Sequence, residues 1–271
     1  MSGIRITVMG ASGRMGRELV RAIHADPKTE LAGALEVNGS PSIGQDAGLL
    51  AGIGDIGIPI TENPLMALGN SDGIIDFTRP EASTVLADIA GEIGLFHVIG
   101  TTGFSADENT RIAQAATKTA VVKSGNMSLG VNLLANLVRR AAASLPAEAF
   151  DIEVVEMHHR HKVDAPSGTA LLLGDAAAEG RQVNLEAASV RVRDGHTGPR
   201  EEGTIGFATL RGGSVVGEHS VILAGPNERI ELSHIAQDRA IFANGAVAAA
   251  KWVYRRDPGL YSMADVLALN D

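Results

Sequence analysis

The chain has 271 residues, 45% of them apolar and 20% charged, the balance of a soluble globular protein of roughly two domains. Its net charge of −9 argues against nucleic acid as a partner, and the lack of cysteine excludes disulfides, thiolate nucleophiles and cysteine-ligated zinc. Met1-Ser2-Gly3-Ile4-Arg5 lacks a signal peptide's apolar core and no run of about 20 apolar residues could span a membrane, so a cytoplasmic location is expected.

Ile4, Ile6 and Val8 alternate with Arg5 and Thr7, a short strand ending at Gly10. The turn Gly10-Ala11-Ser12-Gly13-Arg14-Met15-Gly16 follows, and Met15, Leu19, Val20 and Ile23 then recur at helical spacing. Its GxxGxxG spacing is a variant of the dinucleotide fingerprint. It removes Cβ atoms where the chain turns, where a pyrophosphate meets the backbone and where helix packs on strand. A second strand, Leu31–Leu35, ends at Glu36, 20 residues past Gly16, where an acid can accept hydrogen bonds from an adenosine ribose. Residues 38–72 are rich in turns and read as a long loop with short strands.

Residues 73–77 form a buried-strand run, followed by Thr78-Arg79-Pro80. Ala82, Val85, Leu86, Ile89, Ala90 and Ile93 then make one apolar helical face. His97-Val98-Ile99 is the next strand, ending in Gly100-Thr101-Thr102-Gly103; a helix over 106–117 and a strand over 120–122 lead to Ser124-Gly125-Asn126. This rhythm predicts a Rossmann-type, doubly wound parallel sheet, whose ligands sit beyond the carboxyl ends of the strands. The glycine turn, Glu36, the Gly-Thr-Thr turn and Asn126 all fall at such ends.

Ser128 can cap a helix to about Leu145, with Leu133, Leu134, Leu137, Val138 and Ala141 inward. From Phe150 strands dominate: 151–156, then around 189–193, 204–211, 214–224 and 228–236, with one helix over 167–179. This predicts an α+β domain with a mixed or antiparallel sheet, whose free edge suits pairing with another subunit. An Ala-rich helix over 240–256 is expected to return to the first domain. The expected division is 1–127 with 240–271 as the dinucleotide-binding domain and 128–239 as the substrate-binding and oligomerisation domain.

The chemistry concentrates in Glu156-Met157-His158-His159-Arg160-His161-Lys162-Val163-Asp164-Ala165-Pro166-Ser167-Gly168-Thr169. Ser167 or Thr169 can cap the helix that follows, and a helix start offers N–H groups and partial positive charge to an anion. Arg160 and Lys162 interleave with the histidines and would repel a cation, so no metal is expected. Histidine titrates near working pH and a lysine can be tuned by its surroundings. The segment therefore combines proton-transfer groups with an anion cradle and suits a small dicarboxylate substrate.

The string from His158 to Thr169 resembles the signature of the dihydrodipicolinate reductase family. Val8–Gly16, Asp76-Phe77-Thr78-Arg79-Pro80, Val98–Phe104 and Gly203-Thr204-Ile205-Gly206-Phe207 are similar as well, so the resemblance covers essentially the whole chain. It implies reduction of a cyclic imine on the diaminopimelate route to lysine, with NADH or NADPH. It further implies that Gly10, Ala11, Ser12, Gly13, Arg14 and Met15 cradle the pyrophosphate, that Glu36 holds the ribose, and that Gly100, Thr101, Thr102, Ser124, Gly125, Asn126 and Met127 line the nicotinamide side. His158 would be the acid/base and Lys162 the proton donor, with His159, Gly168 and Thr169 on the substrate carboxylates. The family is tetrameric through its second-domain sheets.

One departure bears on the cofactor. Members that grip the NADPH phosphate often carry arginine directly after the acid, where this chain has Val37. NADH is therefore the favoured cofactor and NADPH the alternative, with Arg14 or Arg79 as the residues that could rescue phosphate binding. Met127 stands where relatives often have phenylalanine, a change with no assigned function. The rival enzyme reading is another two-domain dehydrogenase of a small amino or keto acid. The non-enzyme rival is a redox-sensing regulator, which would have no use for acid/base groups beside an anion cradle.

Overall fold

The computed structural model describes residues 3–269. Strand β1 (Ile4–Met9) buries its last four residues consecutively, as a parallel strand covered on both faces should. Gly10 then takes a left-handed φ of +66°, and the chain turns into α1 (Arg14–Ala25), which buries Gly16, Leu19, Val20 and Ile23. A Cβ on Gly16 would run into the Gly10 carbonyl, so only glycine lets the helix sit this close to the turn. Strand β2 (Thr29–Leu35) follows.

Residues 38–72 are more ordered than their turn-rich composition suggests. They hold α2 (Ala47–Ala51), β3 (Ile60–Thr61) and α3 (Pro64–Leu68). The Asp46 carboxylate caps α2 through the N–H groups of Gly48 and Leu49 and also accepts from Ile56 and Ile58, so one side chain closes the whole loop. Asn63 caps α3, with Pro64 in its first turn.

The remaining first pass is β4 (Gly73–Asp76), α4 (Pro80–Ile93), β5 (Phe96–Ile99), α5 (Ala106–Ala115) and β6 (Ala120–Lys123). On α4 the buried stripe is Ser83, Thr84, Leu86, Ala87 and Ala90, whereas Val85 and Ile93 are more than half exposed. Leu86 and Ala90 of the expected apolar face belong to the buried stripe, and the small residues Ser83, Thr84 and Ala87 complete it.

Next come α6 (Leu129–Ser144), β7 (Asp151–His158), α7 (Gly168–Arg181), α8 (Leu185–Ala188), β8 (Ser189–Val190), β9 (Ile205–Arg211), β10 (Gly217–Ala224) and β11 (Arg229–Ala236). The strand expected over 189–193 is thus only two residues long. On α6 the buried residues are Val131, Leu134, Val138 and Ala142, an i, i+3, i+4 stripe, whereas Leu133 and Leu137 are exposed, contrary to the sequence expectation. The chain closes with α9 (Ala240–Val253), β12 (Gly259–Tyr261) and α10 (Met263–Val266).

These elements form two units: the chain up to Leu129 with the segment from Ala240 onward, and Gly130–Arg239. The first contains a seven-stranded sheet in the order β12-β6-β5-β4-β1-β2-β3 with every pairing parallel. Order reverses between β1 and β4, which opens the ligand crevice of a doubly wound sheet beyond Met9 and Asp76. The second unit holds the mixed sheet β11-β10-β7-β9-β8, where β7 runs parallel to β9 and antiparallel to β10. Its inner face packs Ile152, Val154, Phe207, Val221 and Leu223 against Ala170, Leu173 and Ala177 of α7.

Helix α9 contributes Ala243, Ala246, Val247, Ala249, Ala250 and Val253 to the core of the first unit. Gly245 of this helix is buried, and a Cβ there would overlap the Met127 carbonyl. Gly245→Ala is therefore expected to destabilise the protein by roughly 1–3 kcal/mol. A lowered urea midpoint with an unchanged slope would show it, and a midpoint equal to wild type would mean that the helix has room to move.

Candidate active site

In the first unit the glycine turn and Glu36 come together. Ser12 donates from its backbone N and its Oγ to Glu36 Oε2, at 3.1 and 2.6 Å, and Val37 N donates to Oε1 at 2.9 Å. The turn itself is closed by Gly13 N donating to the Gly10 carbonyl at 3.0 Å, and Arg17 Nε anchors the Ser12 carbonyl. Gly13 and Arg14 are exposed, Met15 is half-buried, and Ala11 is buried. A left-handed glycine, a helix start and an acid at the end of β2 fit the diphosphate and ribose of a dinucleotide. Val37 is 71% exposed beside Glu36.

At the ends of β4 and β5 a buried polar chain reaches the Gly-Thr-Thr turn. Thr78 donates from N and Oγ1 to Asp76 Oδ1, and Ser83 Oγ donates to Thr101 Oγ1 at 2.8 Å. His97 and Asp76 are both fully buried, 3.5 Å apart. Burial would raise the Asp76 carboxyl, but His97, Ser83 and Thr78 outweigh it and hold the group below its ordinary range. Gly100 lies against the Phe77 ring, too close for any Cβ.

A cleft of about 330 Å³ is lined by Thr101, Thr102, Ser124 and Gly125, and also by Lys123, Phe104 and Asn109. Lys123 lies over the Phe104 ring and donates to Asn109 Oδ1, and burial lowers the pKa of its ammonium. Ser124 Oγ donates to the Asn126 carbonyl. Met127 is buried in the core behind the cleft, so its side chain is a packing group.

In the second unit His158, the last residue of β7, is 8% exposed. Residues 159–166 form a loop pinned to the β9–β10 turn by Gly212 N to the His158 carbonyl and Arg160 N to the Gly213 carbonyl. Within it the His159 and His161 rings lie 6.3 Å apart, and Lys162 Nζ pairs with Asp164 Oδ1 at 2.8 Å. Partial burial, together with Arg239, His158, His161 and Lys162, lowers the pKa of His159. After the cis Ala165–Pro166 peptide, Ser167 caps α7 by accepting from Ala170 N, which makes Gly168 and Thr169 the first helical residues. Ser167 is thus the cap, and Pro166 lies just outside the helix. His158, His159, Lys162, Gly168 and Thr169 all belong to this one loop and its two ends.

Sequence reasoning missed the partners of His158. Glu156, 1% exposed, takes His158 Nδ1 at 2.5 Å and Arg211 NH1 at 2.8 Å on Oε2, and Arg211 NH2 at 2.9 Å and Ser167 N at 3.0 Å on Oε1. Burial would raise this carboxyl, but the hydrogen bonds from Arg211, His158 and Ser167 hold it below its ordinary range. His219 stands edge-on to His158, ring centres 5.0 Å apart, with Nε2 3.0 Å from Ser167 Oγ. Among the described residues no group of three or more His, Asp or Glu side chains is arranged to hold a metal ion. Among the described residues no helix is long and apolar enough to cross a membrane.

Residues 4–127 match the family model described as dihydrodipicolinate reductase, N-terminus, and residues 130–267 match its C-terminus. The chain belongs to the dihydrodipicolinate reductase family. A 4-hydroxy-tetrahydrodipicolinate reductase of Chelativorans sp. is 60% identical over 100% of this chain and 98% of its own. One from Brucella abortus is 59% identical over 98% and 99%. The dipicolinate-bound dihydrodipicolinate reductase structure from Paenisporosarcina sp. TG-14 has the same fold, with a TM-score of 0.77 at 24% identity, covering 97% of this chain and 99% of that one. The family is one of pyridine-nucleotide-dependent reductases, in keeping with the glycine turn and Glu36.

Burial, with His158 as the next cause, lowers the pKa of His219 from 6.5 to about 4, and its Nδ1 has no hydrogen-bonding partner among the described residues. The folded state therefore keeps this ring neutral while the unfolded chain takes up a proton. Stability is full above pH 6.5 and is lost as pH falls towards 4, by an amount on the order of 3 kcal/mol. His219→Gln should flatten the dependence of the urea midpoint on pH between 6.5 and 4.5, and an unaltered slope would assign the acid sensitivity elsewhere.

Proposed function

We propose that this chain catalyses the NAD(P)H-dependent reduction of 4-hydroxy-tetrahydrodipicolinate to tetrahydrodipicolinate on the diaminopimelate route to lysine. The observation that carries the reading is the placement of His158 at the end of β7 and of Lys162 on the loop that runs from it to the start of α7. Full-length relatives of about 60% identity that bear this activity in their names support it.

When bound, the pyridine nucleotide supplies the hydride. The chain supplies binding and protons. The start of α7 at Gly168 and Thr169, with the His159 imidazole, holds the substrate carboxylates at the positive end of that helix. Lys162, which pairs with Asp164, is the proton donor, so that hydride enters the ring as the 4-hydroxyl leaves as water. His158 exchanges a proton at Nε2, the ring atom turned away from Glu156. The glycine turn from Gly10 to Met15, Glu36, Gly100 to Thr102 and Ser124 to Asn126 bind the cofactor, and Met127 packs in the core of the same unit.

We read NADH as the preferred cofactor. Glu36 presents a carboxylate next to Val37, and nothing cationic directly follows that acid to receive a phosphate. Arg14 and Arg79 are exposed and are the residues that could offset this. We also read the chain as a homo-tetramer joined through the outer face of the mixed sheet, where Leu210 and Ile235 are 50% and 64% exposed.

The test couples the upstream synthase to this protein and follows loss of reduced nicotinamide absorbance. His158→Ala and Lys162→Ala should each lower kcat by roughly 10²–10⁴ with unchanged unfolding curves. Full turnover in both would overturn the roles given to these side chains. In the same assay kcat/KM should be higher with NADH than with NADPH, and a strong preference for NADPH would sink the cofactor reading.

A further inference from the structure

Glu156 and Arg211 touch no part of the proposed substrate site except through His158, Ser167 and the loop. Their geometry nevertheless determines what His158 can do. Glu156 offers a buried anion to Nδ1 at 2.5 Å, so the ring hydrogen belongs on Nδ1 and the exchangeable position is Nε2. Nε2 faces Gly217, where a Cβ would come within 3.0 Å, so the absence of a side chain leaves that atom approachable.

An unopposed carboxylate this close, in so buried a place, would favour the imidazolium strongly and make it slow to release a proton. Arg211 opposes it. The guanidinium grips both Glu156 oxygens and donates a further hydrogen bond to the Asp164 carbonyl at 2.7 Å. The same arginine thus sets the charge behind His158 and fastens the loop that carries Lys162.

We propose that Glu156 and Arg211 are an opposed pair of positioning residues for His158, the carboxylate drawing a proton onto the imidazole and the guanidinium limiting that pull while holding the 159–166 loop in place. Other titratable groups face the same ring. His219 on β10 lies edge-on, with His234 on β11 beyond it, and Lys162, His159 and His161 lie on the loop. None of them bonds to the Glu156 carboxylate, whose four hydrogen bonds come from His158, Arg211 (two) and Ser167 N. The proposal rests on the reading of His158 as the acid/base group of the reductase.

The test is a histidine ¹⁵N NMR titration of the full chain without substrate, with the His158 signal assigned by its loss in His158→Gln. Glu156→Gln should move the His158 midpoint down, and Arg211→Met should move it up, each by about 1 pH unit. A group that merely supports the fold would not give shifts of opposite sign. Should Arg211→Met not fold, the double variant Glu156→Gln/Arg211→Met, which leaves no unpaired buried charge, replaces it. Its midpoint should lie above that of Glu156→Gln alone. Midpoints that stay put, or that move in the same direction, overturn the proposal whatever the activity. In the coupled assay, the alkaline limb of kcat/KM should follow the NMR midpoints, and Glu156→Gln should cost about 10–100-fold in kcat at neutral pH. Opposed NMR shifts with an unmoved rate profile would leave the pair intact and refute His158 as the proton-exchanging group.

Discussion

A carboxylate removed from water must be answered on every side, and Glu156 is the group that imposes this demand on the second unit. Its burial would cost several kcal/mol without partners. The partners come from three separate elements: His158 two residues on along β7, Arg211 on β9, and the amide of Ser167 at the cap of α7. Those are also the elements that present the His158 ring, the 159–166 loop and the start of α7. The parallel register that sets Arg211 beside His158 is therefore as much a part of the chemistry as of the sheet. Fold and site are satisfied by the same four hydrogen bonds.

The first unit meets its demands by other means. Where the second unit places charges, this one removes side chains. Gly10, Gly16, Gly100 and Gly245 each sit where a Cβ would strain the backbone or strike a neighbour. The result is close approach of helix to strand and a backbone surface open beyond the strand ends. The buried polar chain from Asp76 through Thr78 and Ser83 to Thr101 then stiffens the turn at the edge of that surface.

Much of this was legible from the residues. Alternation, glycine spacing and an acid at the right distance identify the parallel sheet, because those signals are local. The motif from His158 to Thr169 is likewise contiguous. What escaped is non-local or depends on volume. Arg211 lies 55 residues from Glu156, and nothing in either neighbourhood announces the pairing. The buried face of α6 follows Val131 and Ala142 rather than Leu133 and Leu137, and the small Ala142 lies against Gly180 of α7, where close fit outweighs side-chain hydrophobicity. The short helices α2 and α3 did carry their cap residues, Asp46 and Asn63, but five-residue helices leave too little periodicity to read.

The path of the chain through its two units has a consequence for biogenesis. Gly130–Arg239 is a single uninterrupted stretch, and the residues of its core all lie within it. The first unit is begun earlier but lacks α9 and the strand β12 until the segment beyond Ala240 has left the ribosome. Until then β6 is an open edge and the face that α9 covers is bare. The later-encoded body can therefore complete its core ahead of the earlier one.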